Sequence, residues 1–213
     1  MMNKIKIGIV DYNLGNLKSV GNALNYLGYS YFVTNDIHKL KSVDVILFPG
    51  VGAFDVAMRN LKNNDLDLKI KELVISDQKI IMGICLGMQL LATSSDENGF
   101  TYGLDLIPGH VEKLITTGNY KVPHVGWNEI KFEKESIFFD RKKFDGLNYY
   151  FDHSYHFIPA HNEDVLCTTI YENKIVSGVN NKNVFGFQFH PEKSQVSGLK
   201  LFRSFITQVV NTL

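Results

Sequence analysis

Ile81-Met82-Gly83-Ile84-Cys85-Leu86-Gly87-Met88-Gln89 is the stretch on which the reading of this chain turns. Together with Lys79-Ile80 it begins as a short, near-continuous apolar run, the pattern of a strand buried on both faces. It then passes through Gly-X-Cys-X-Gly and continues, as LGMQLLATS, in a helical pattern. Strand, tight turn and helix with a nucleophilic side chain at the turn make an elbow. The glycines let the backbone turn sharply, and the turn lifts the sulfur above the strand end. A helix start beneath it favours a thiolate and offers N–H groups, beginning with Leu86, to a developing oxyanion. Taken alone, the same turn also suits a cysteine acting as a small buried hydrophobe.

Working outward, the first hundred residues alternate between two periods. KIKIGIVDY reads as a strand from Lys4 that ends at Asp11, followed by a helical pattern through Leu17, Val20, Leu24 and Leu27. YSYFVT is a second strand, VDVILFPG a third closed by Pro49-Gly50, and helices are expected around Ala57–Leu61 and Leu66–Val74. This alternation predicts an α/β fold with a mostly parallel sheet flanked by helices. The second half reads differently. VEKLI, WNEIKF, NYYFDHSY, VLCTTIY, KIVSGVN and NVFGFQFH are strand-like runs between turn residues, an antiparallel addition to that core. Leu199, Leu201, Phe202, Phe205, Ile206 and Val209 then suit a closing amphipathic helix. With no repeat, low-complexity stretch or linker, residues 1–213 are read as one domain.

Bulk properties exclude several classes of function. Lys+Arg and Asp+Glu are both 22, so the formal charge is zero, which argues against electrostatic binding to nucleic acid or anionic membrane. No apolar run reaches the roughly 18–20 residues of a membrane helix, and no signal peptide is visible. Cys85 and Cys167 are the two cysteines and sit in unlike contexts, so no disulfide framework is expected and a cytoplasmic compartment is the default. Cys167, inside VLCTTIY, reads as core.

A cysteine nucleophile needs an oriented base, and Phe187-Gln188-Phe189-His190-Pro191-Glu192 offers one. Pro191 fixes the backbone between His190 and Glu192. Strand alternation would send both to one side, so that the carboxylate reaches the far imidazole nitrogen and sets the tautomer. Alone, His-Pro-Glu is also an ordinary surface turn. Joined with Cys85 at the carboxyl ends of an open parallel sheet, the two motifs point to one site. Pro49-Gly50-Val51-Gly52-Ala53-Phe54 follows another buried strand, and its glycines allow close backbone approach. Val51 and Gly52 are natural oxyanion donors beside Leu86, although the loop taken alone suits an ordinary βα turn equally well. His153 and His156 would face opposite ways on one strand, with no third ligand, so no metal site is expected. No G-X-G-X-X-G follows the first strand, which leaves a dinucleotide module unsupported.

The ordered set Pro-Gly-Val-Gly-Ala-Phe, Gly-Ile-Cys-Leu-Gly-Met-Gln, Pro-His-Val-Gly-Trp-Asn and Gln-Phe-His-Pro-Glu-Lys-Ser resembles the class I, triad-type glutamine amidotransferases. Asp11-Tyr12-Asn13-Leu14-Gly15-Asn16-Leu17 extends the likeness over essentially the whole chain. Within that family the chain is most similar to the glutaminase subunits of imidazole glycerol phosphate synthase. The resemblance implies a flavodoxin-like fold and a Cys85–His190–Glu192 triad that hydrolyses L-glutamine, with no cofactor. It implies substrate contacts at Gly52, Gln89, His153, Ser154 and Tyr155. It also implies a heterodimer with a (β/α)₈-barrel cyclase that receives the ammonia for histidine biosynthesis, through a boundary near Asn13, Trp127, Tyr150 and Lys193. Asp152 departs from the pattern, because the family usually carries valine before the histidine. Three other readings stay open: ammonia supply for amidination of a surface-polysaccharide sugar, a cysteine peptidase or γ-glutamyl hydrolase, and a silent scaffold subunit.

Overall fold

The computed structural model describes residues 5–118 and 120–212, so Lys4, the start of the first strand read from the sequence, lies outside the described residues. In chain order, β1 (Ile7–Val10) leads into α1 (Leu17–Tyr26), β2 (Tyr31–Thr34) into α2 (Ile37–Lys41), and β3 (Val45–Gly50) into α3 (Phe54–Asn63) and α4 (Leu66–Ile75). β4 (Ile80–Cys85) enters α5 (Leu86–Gln89). Short strands β5 (Ser94–Ser95) and β6 (Thr101–Tyr102) precede β7 (Gly109–Lys113), β8 (His124–Glu129) and β9 (Lys131–Phe132). After α6 (Arg141–Phe144) come β10 (Asn148–His153), β11 (Tyr155–Pro159), β12 (Val165–Tyr171), β13 (Asn173–Asn181), β14 (Val184–Phe187) and the closing helix α7 (Gln195–Thr212).

Among the described residues the main sheet has eight strands in the order β2-β1-β3-β4-β14-β13-β12-β9. The first five run parallel and the last three are antiparallel additions. This is the α/β architecture expected from the sequence. β1, β3, β4 and β14 are buried along almost their whole length, as their continuous apolar runs require. One core cluster packs α1 and α7 on one face of the sheet, and a second packs α3 and α4 on the other. Two smaller sheets stand above the strand ends: the β8–β10 ribbon and the four strands β11-β7-β5-β6.

Three local expectations are corrected. The helix after Cys85 is a single turn, not a helix through LGMQLLATS. The carbonyls of Leu90, Leu91 and Ala92 accept N–H groups from Leu104, Leu106, Ile107 and Asp105 instead of continuing the helix. β14 stops at Phe187, so His190 and Glu192 are not on a strand; Pro191–Lys193 forms a 3₁₀ turn. His153 ends β10 while His156 lies in β11, so alternation along one strand does not relate them.

Candidate active site

Cys85 sits where β4 turns into α5, with φ 55° and ψ −113°, a conformation a non-glycine residue adopts only when its surroundings impose it. The turn is closed by contact on both sides. A Cβ on Gly87 would run into the Phe48 carbonyl of β3, and one on Gly83 would meet the backbone of Gly87. The helix start can therefore lie directly across the parallel strands. Cys85 is 6% exposed, with its edge lining a cavity of about 270 Å³.

The base arrives just beyond the neighbouring strand. β14 pairs in parallel with β4, Phe187 opposite Ile84, and the chain continues to His190. The His190 N–H donates to the Tyr150 carbonyl at 2.8 Å. Ser194, buried below, donates to the His190 carbonyl and accepts from the Tyr150 N–H. These bonds stitch the base loop to β10. In the 3₁₀ turn Glu192 folds back so that Oε1 lies 2.8 Å from His190 Nδ1, with both side chains almost wholly buried. Glu192 Oε2 has no partner among the described residues, so the imidazole is what compensates this carboxylate. Burial works against charge on the ring. The Cys85 sulfur, by its charge and a hydrogen bond, and Glu192 outweigh it and raise the His190 pKa to about 10. An imidazolium beside a sulfur is the setting in which cysteine attacks as a thiolate.

The same cavity is lined by Val51, Gly52, Leu86, Gln89, Glu97, Asp152, His153, Ser154 and Tyr155, together with Cys85 and His190. The sequence-predicted oxyanion and substrate residues are thus brought to the nucleophile. Gly52 has φ +109°, which favours glycine, and Leu86 opens α5 with its N–H in the unpaired first turn. Tyr12, within the Asp11–Leu17 motif, is fully buried and donates to the Pro49 carbonyl at 2.9 Å. It braces the loop that carries Val51 and Gly52.

The family model for class-I glutamine amidotransferases matches residues 8–209. The chain belongs to the class I glutamine amidotransferase family. It is 41% identical over 199 residues to the imidazole glycerol phosphate synthase subunit HisH of Listeria monocytogenes serotype 4a, covering 93% of this chain and 94% of that one. It is 42% identical over 200 residues to the corresponding HisH of Moorella thermoacetica, covering 93% of each. Among solved structures, PurLQS from Thermotoga maritima superposes with a TM-score of 0.73 at 21% identity, over 97% of this chain and 100% of that one, a likeness of fold.

As a class I glutamine amidotransferase the chain is an enzyme, and residues outside its sequence-predicted site bear on its pocket. Glu97 was missed. It lies in the polar loop Ser95-Asp96-Glu97-Asn98, which carries no apolar signal and reads as solvent-facing. In the structure its Oε2 accepts the Phe54 N–H at the start of α3 at 2.8 Å, and its carboxylate enters the cavity. Burial raises its pKa, partly offset by the Phe54 bond. Its sequence signal, an acid a few residues beyond the nucleophile helix, is visible only in hindsight.

Three of the residues expected at a subunit boundary of this amidotransferase, Trp127, Tyr150 and Lys193, gather on one side. Tyr150 on β10 pairs with Trp127 on β8, their rings meeting edge to face at 6.1 Å. The Lys193 ammonium sits 5.5 Å from the Tyr150 ring centre, within cation–π range. Trp127 is 47% exposed, so it is not a core tryptophan. Asn13 is exposed at its own turn. Asp152 is exposed and, by strand alternation, shares the outer face with Tyr150; only its main chain approaches the sulfur. Cys167 is fully buried with its thiol pushed up to about 12 by burial, a core residue as expected. No helix among the described residues is long and apolar enough to cross a membrane.

Proposed function

We propose that this chain, a single amidotransferase domain, is the glutaminase subunit of an imidazole glycerol phosphate synthase. It hydrolyses L-glutamine and passes ammonia to a cyclase partner in histidine biosynthesis. The observation that carries the reading is the buried His190–Glu192 pair, 2.8 Å apart, with His190 and Cys85 lining one cavity of small-molecule size. The relatives that match nearly end to end at about 40% identity carry that enzyme's name and supply the pathway.

In this mechanism the Cys85 thiolate attacks the side-chain amide carbon of glutamine. The oxyanion forms against the Leu86 N–H and the Val51–Gly52 backbone, and each such donor lowers the barrier by about 2.7–4 kcal/mol. The His190 imidazolium gives its proton to the departing nitrogen, which leaves as ammonia, and a γ-glutamyl thioester remains. Neutral His190 then takes a proton from water as the water attacks the thioester. Glutamate leaves, and thiolate and imidazolium are restored. Glu192 holds the ring in place and balances its charge. Glu97 meets the α-ammonium of the substrate, while Gln89, His153, Ser154 and Tyr155 shape the rest of its pocket. Nothing in the cycle calls for a cofactor.

The cyclase, a (β/α)₈ barrel, would dock over Trp127, Tyr150 and Lys193, with Asn13 at the margin. Asp152 on the same face favours a second reading in which the partner is a related cyclase that amidinates a polysaccharide sugar. Glutamate release from glutamine, measured alone and with each cyclase plus its ligand, tests both. Hydrolysis stimulated by the histidine-pathway cyclase supports the first. Stimulation by the sugar-modifying cyclase alone supports the second, and no hydrolysis under any condition overturns both.

A further inference from the structure

Within Phe187-Gln188-Phe189-His190, Gln188 has no part in the triad, yet it is fully buried. An amide in the interior is costly unless its polar atoms are paired. Gln188 Oε1 accepts from Gln89 Nε2 at 3.1 Å, and Gln188 Nε2 lies 3.8 Å from Cys85 Sγ.

The direction of this amide is imposed from a distance. The anchor is the Tyr155 carbonyl, which can only accept. It takes one N–H of Gln89 at 2.8 Å, so the other N–H of Gln89 is the one that meets Gln188. Turning the Gln188 amide over would set two NH₂ groups against each other and aim an oxygen at the sulfur. The second lone pair of the Tyr155 carbonyl is also spoken for, by His153 Nδ1 at 2.8 Å. That bond fixes His153 as its Nδ1–H tautomer, leaving Nε2 to accept from His124 Nδ1 at 3.0 Å.

We propose that Gln188 is a further catalytic residue, whose Nε2–H stabilises the Cys85 sulfur as an anion and whose orientation is imposed by the Tyr155 carbonyl through Gln89. The inference deepens the glutaminase reading and rests on Cys85 as its nucleophile. As a thiol, Cys85 has a different partner, the Asp152 carbonyl 3.8 Å away, to which it donates. Loss of the proton removes that bond and strengthens the one from Gln188, since hydrogen bonds to charged groups exceed neutral ones. Deprotonation therefore trades an acceptor on β10 for a donor that is already aimed.

The test is the pH profile of Cys85 carboxamidomethylation by iodoacetamide, followed by peptide mass spectrometry without glutamine, in wild type and Gln188→Leu. Loss of the donor should slow alkylation at neutral pH about tenfold and move the profile to higher pH. The variant's kcat for glutamine hydrolysis in the cyclase complex should fall about tenfold, with KM within about twofold. A Gln188→Leu alkylation profile that overlays wild type overturns the proposal, even if turnover falls, because the loss is then one of packing. Should Gln188→Leu fail to fold, Gln188→Glu keeps the shape and places an acceptor or a charge against the sulfur. Slower alkylation in Gln188→Glu supports the proposal; an unchanged or faster rate overturns it. Alkylation needs no substrate, so a wild type that fails to hydrolyse glutamine would sink the glutaminase reading and leave this comparison decisive.

Discussion

His124 donates from Nδ1 to Nε2 of His153 across 3.0 Å, two imidazoles buried side by side at the paired ends of β8 and β10. His124 is stacked between Phe151 and Tyr171, with ring centres 4.6 and 3.9 Å away. Burial holds both rings neutral, lowering the His153 pKa to about 3 and that of His124 to about 4. Both lie below the ordinary value of 6.5, so between these limits the unfolded chain binds more protons than the native one. Stability is therefore fully present above pH 6.5 and lost as the pH falls toward 3–4, on the order of 2 kcal/mol per ring by pH 5. Urea midpoints at pH 7.5 and 5 should differ accordingly, and His124→Phe should roughly halve the difference, leaving the part due to His153. An equally steep acid limb in that variant would place the titrating groups elsewhere.

Glu192→Gln keeps the size of the side chain but removes the charge that faces His190 Nδ1. Glutamine turnover should fall by about 10²–10⁴-fold, as expected for a disabled acid–base group. The stability linkage runs opposite to that of the buried histidine pair. His190 is raised to about 10, so its contribution is complete below pH 6.5 and is lost as the pH rises through about 10. In Glu192→Gln that alkaline loss should begin at lower pH, which thermal melts between pH 7 and 10 will show. Wild-type turnover in this variant would remove Glu192 from the triad.

Glu97→Gln tests the ammonium-binding role. The amide oxygen can still accept the Phe54 N–H, so the melting temperature should hold within about 2 °C. KM for glutamine should rise more than tenfold with kcat changed little, since a buried charge partner is lost. An unchanged KM would mean that the carboxylate only caps α3.

Trp127→Ala should weaken co-elution with the cyclase by at least tenfold in Kd, as for an aromatic at the centre of an interface. The alkylation rate of Cys85 should not change, because Trp127 lies on the outer face of the ribbon. Full affinity in the variant would move the docking surface off this ribbon.

What was legible in the sequence followed from backbone constraint. Gly83 and Gly87 flank Cys85 because strand and helix touch there, and steric necessity of that kind leaves a spacing pattern. Pro191 between His190 and Glu192 is legible for the same reason, although the geometry it serves is a 3₁₀ turn and not the strand alternation expected. Features decided by distant partners left no such mark. The apolar run Leu90-Leu91-Ala92 looks helical, but its carbonyls pair with residues 104–107 and the helix ends at Gln89. Glu97 looks like a solvent-facing acid until α3 offers it the Phe54 N–H. Gln188 looks like one more residue of an aromatic strand until the orientation of Gln89 is known.

Cys85 and His190 stand 105 positions apart in the chain, one at the end of β4 and the other three residues past the end of the adjacent strand β14. The parallel pairing of β4 with β14 closes that interval like a hem, and the two smaller sheets, β8–β10 and β11-β7-β5-β6, hang from the chain in between. The chemistry is sewn at the hem, while Trp127, Tyr150 and Asp152 are displayed on the hanging part. Selection on that part can redirect ammonia to a new recipient and leave the stitch between thiol and imidazole untouched. One sheet can in this way serve as a common power source whose plug is changed to fit the socket.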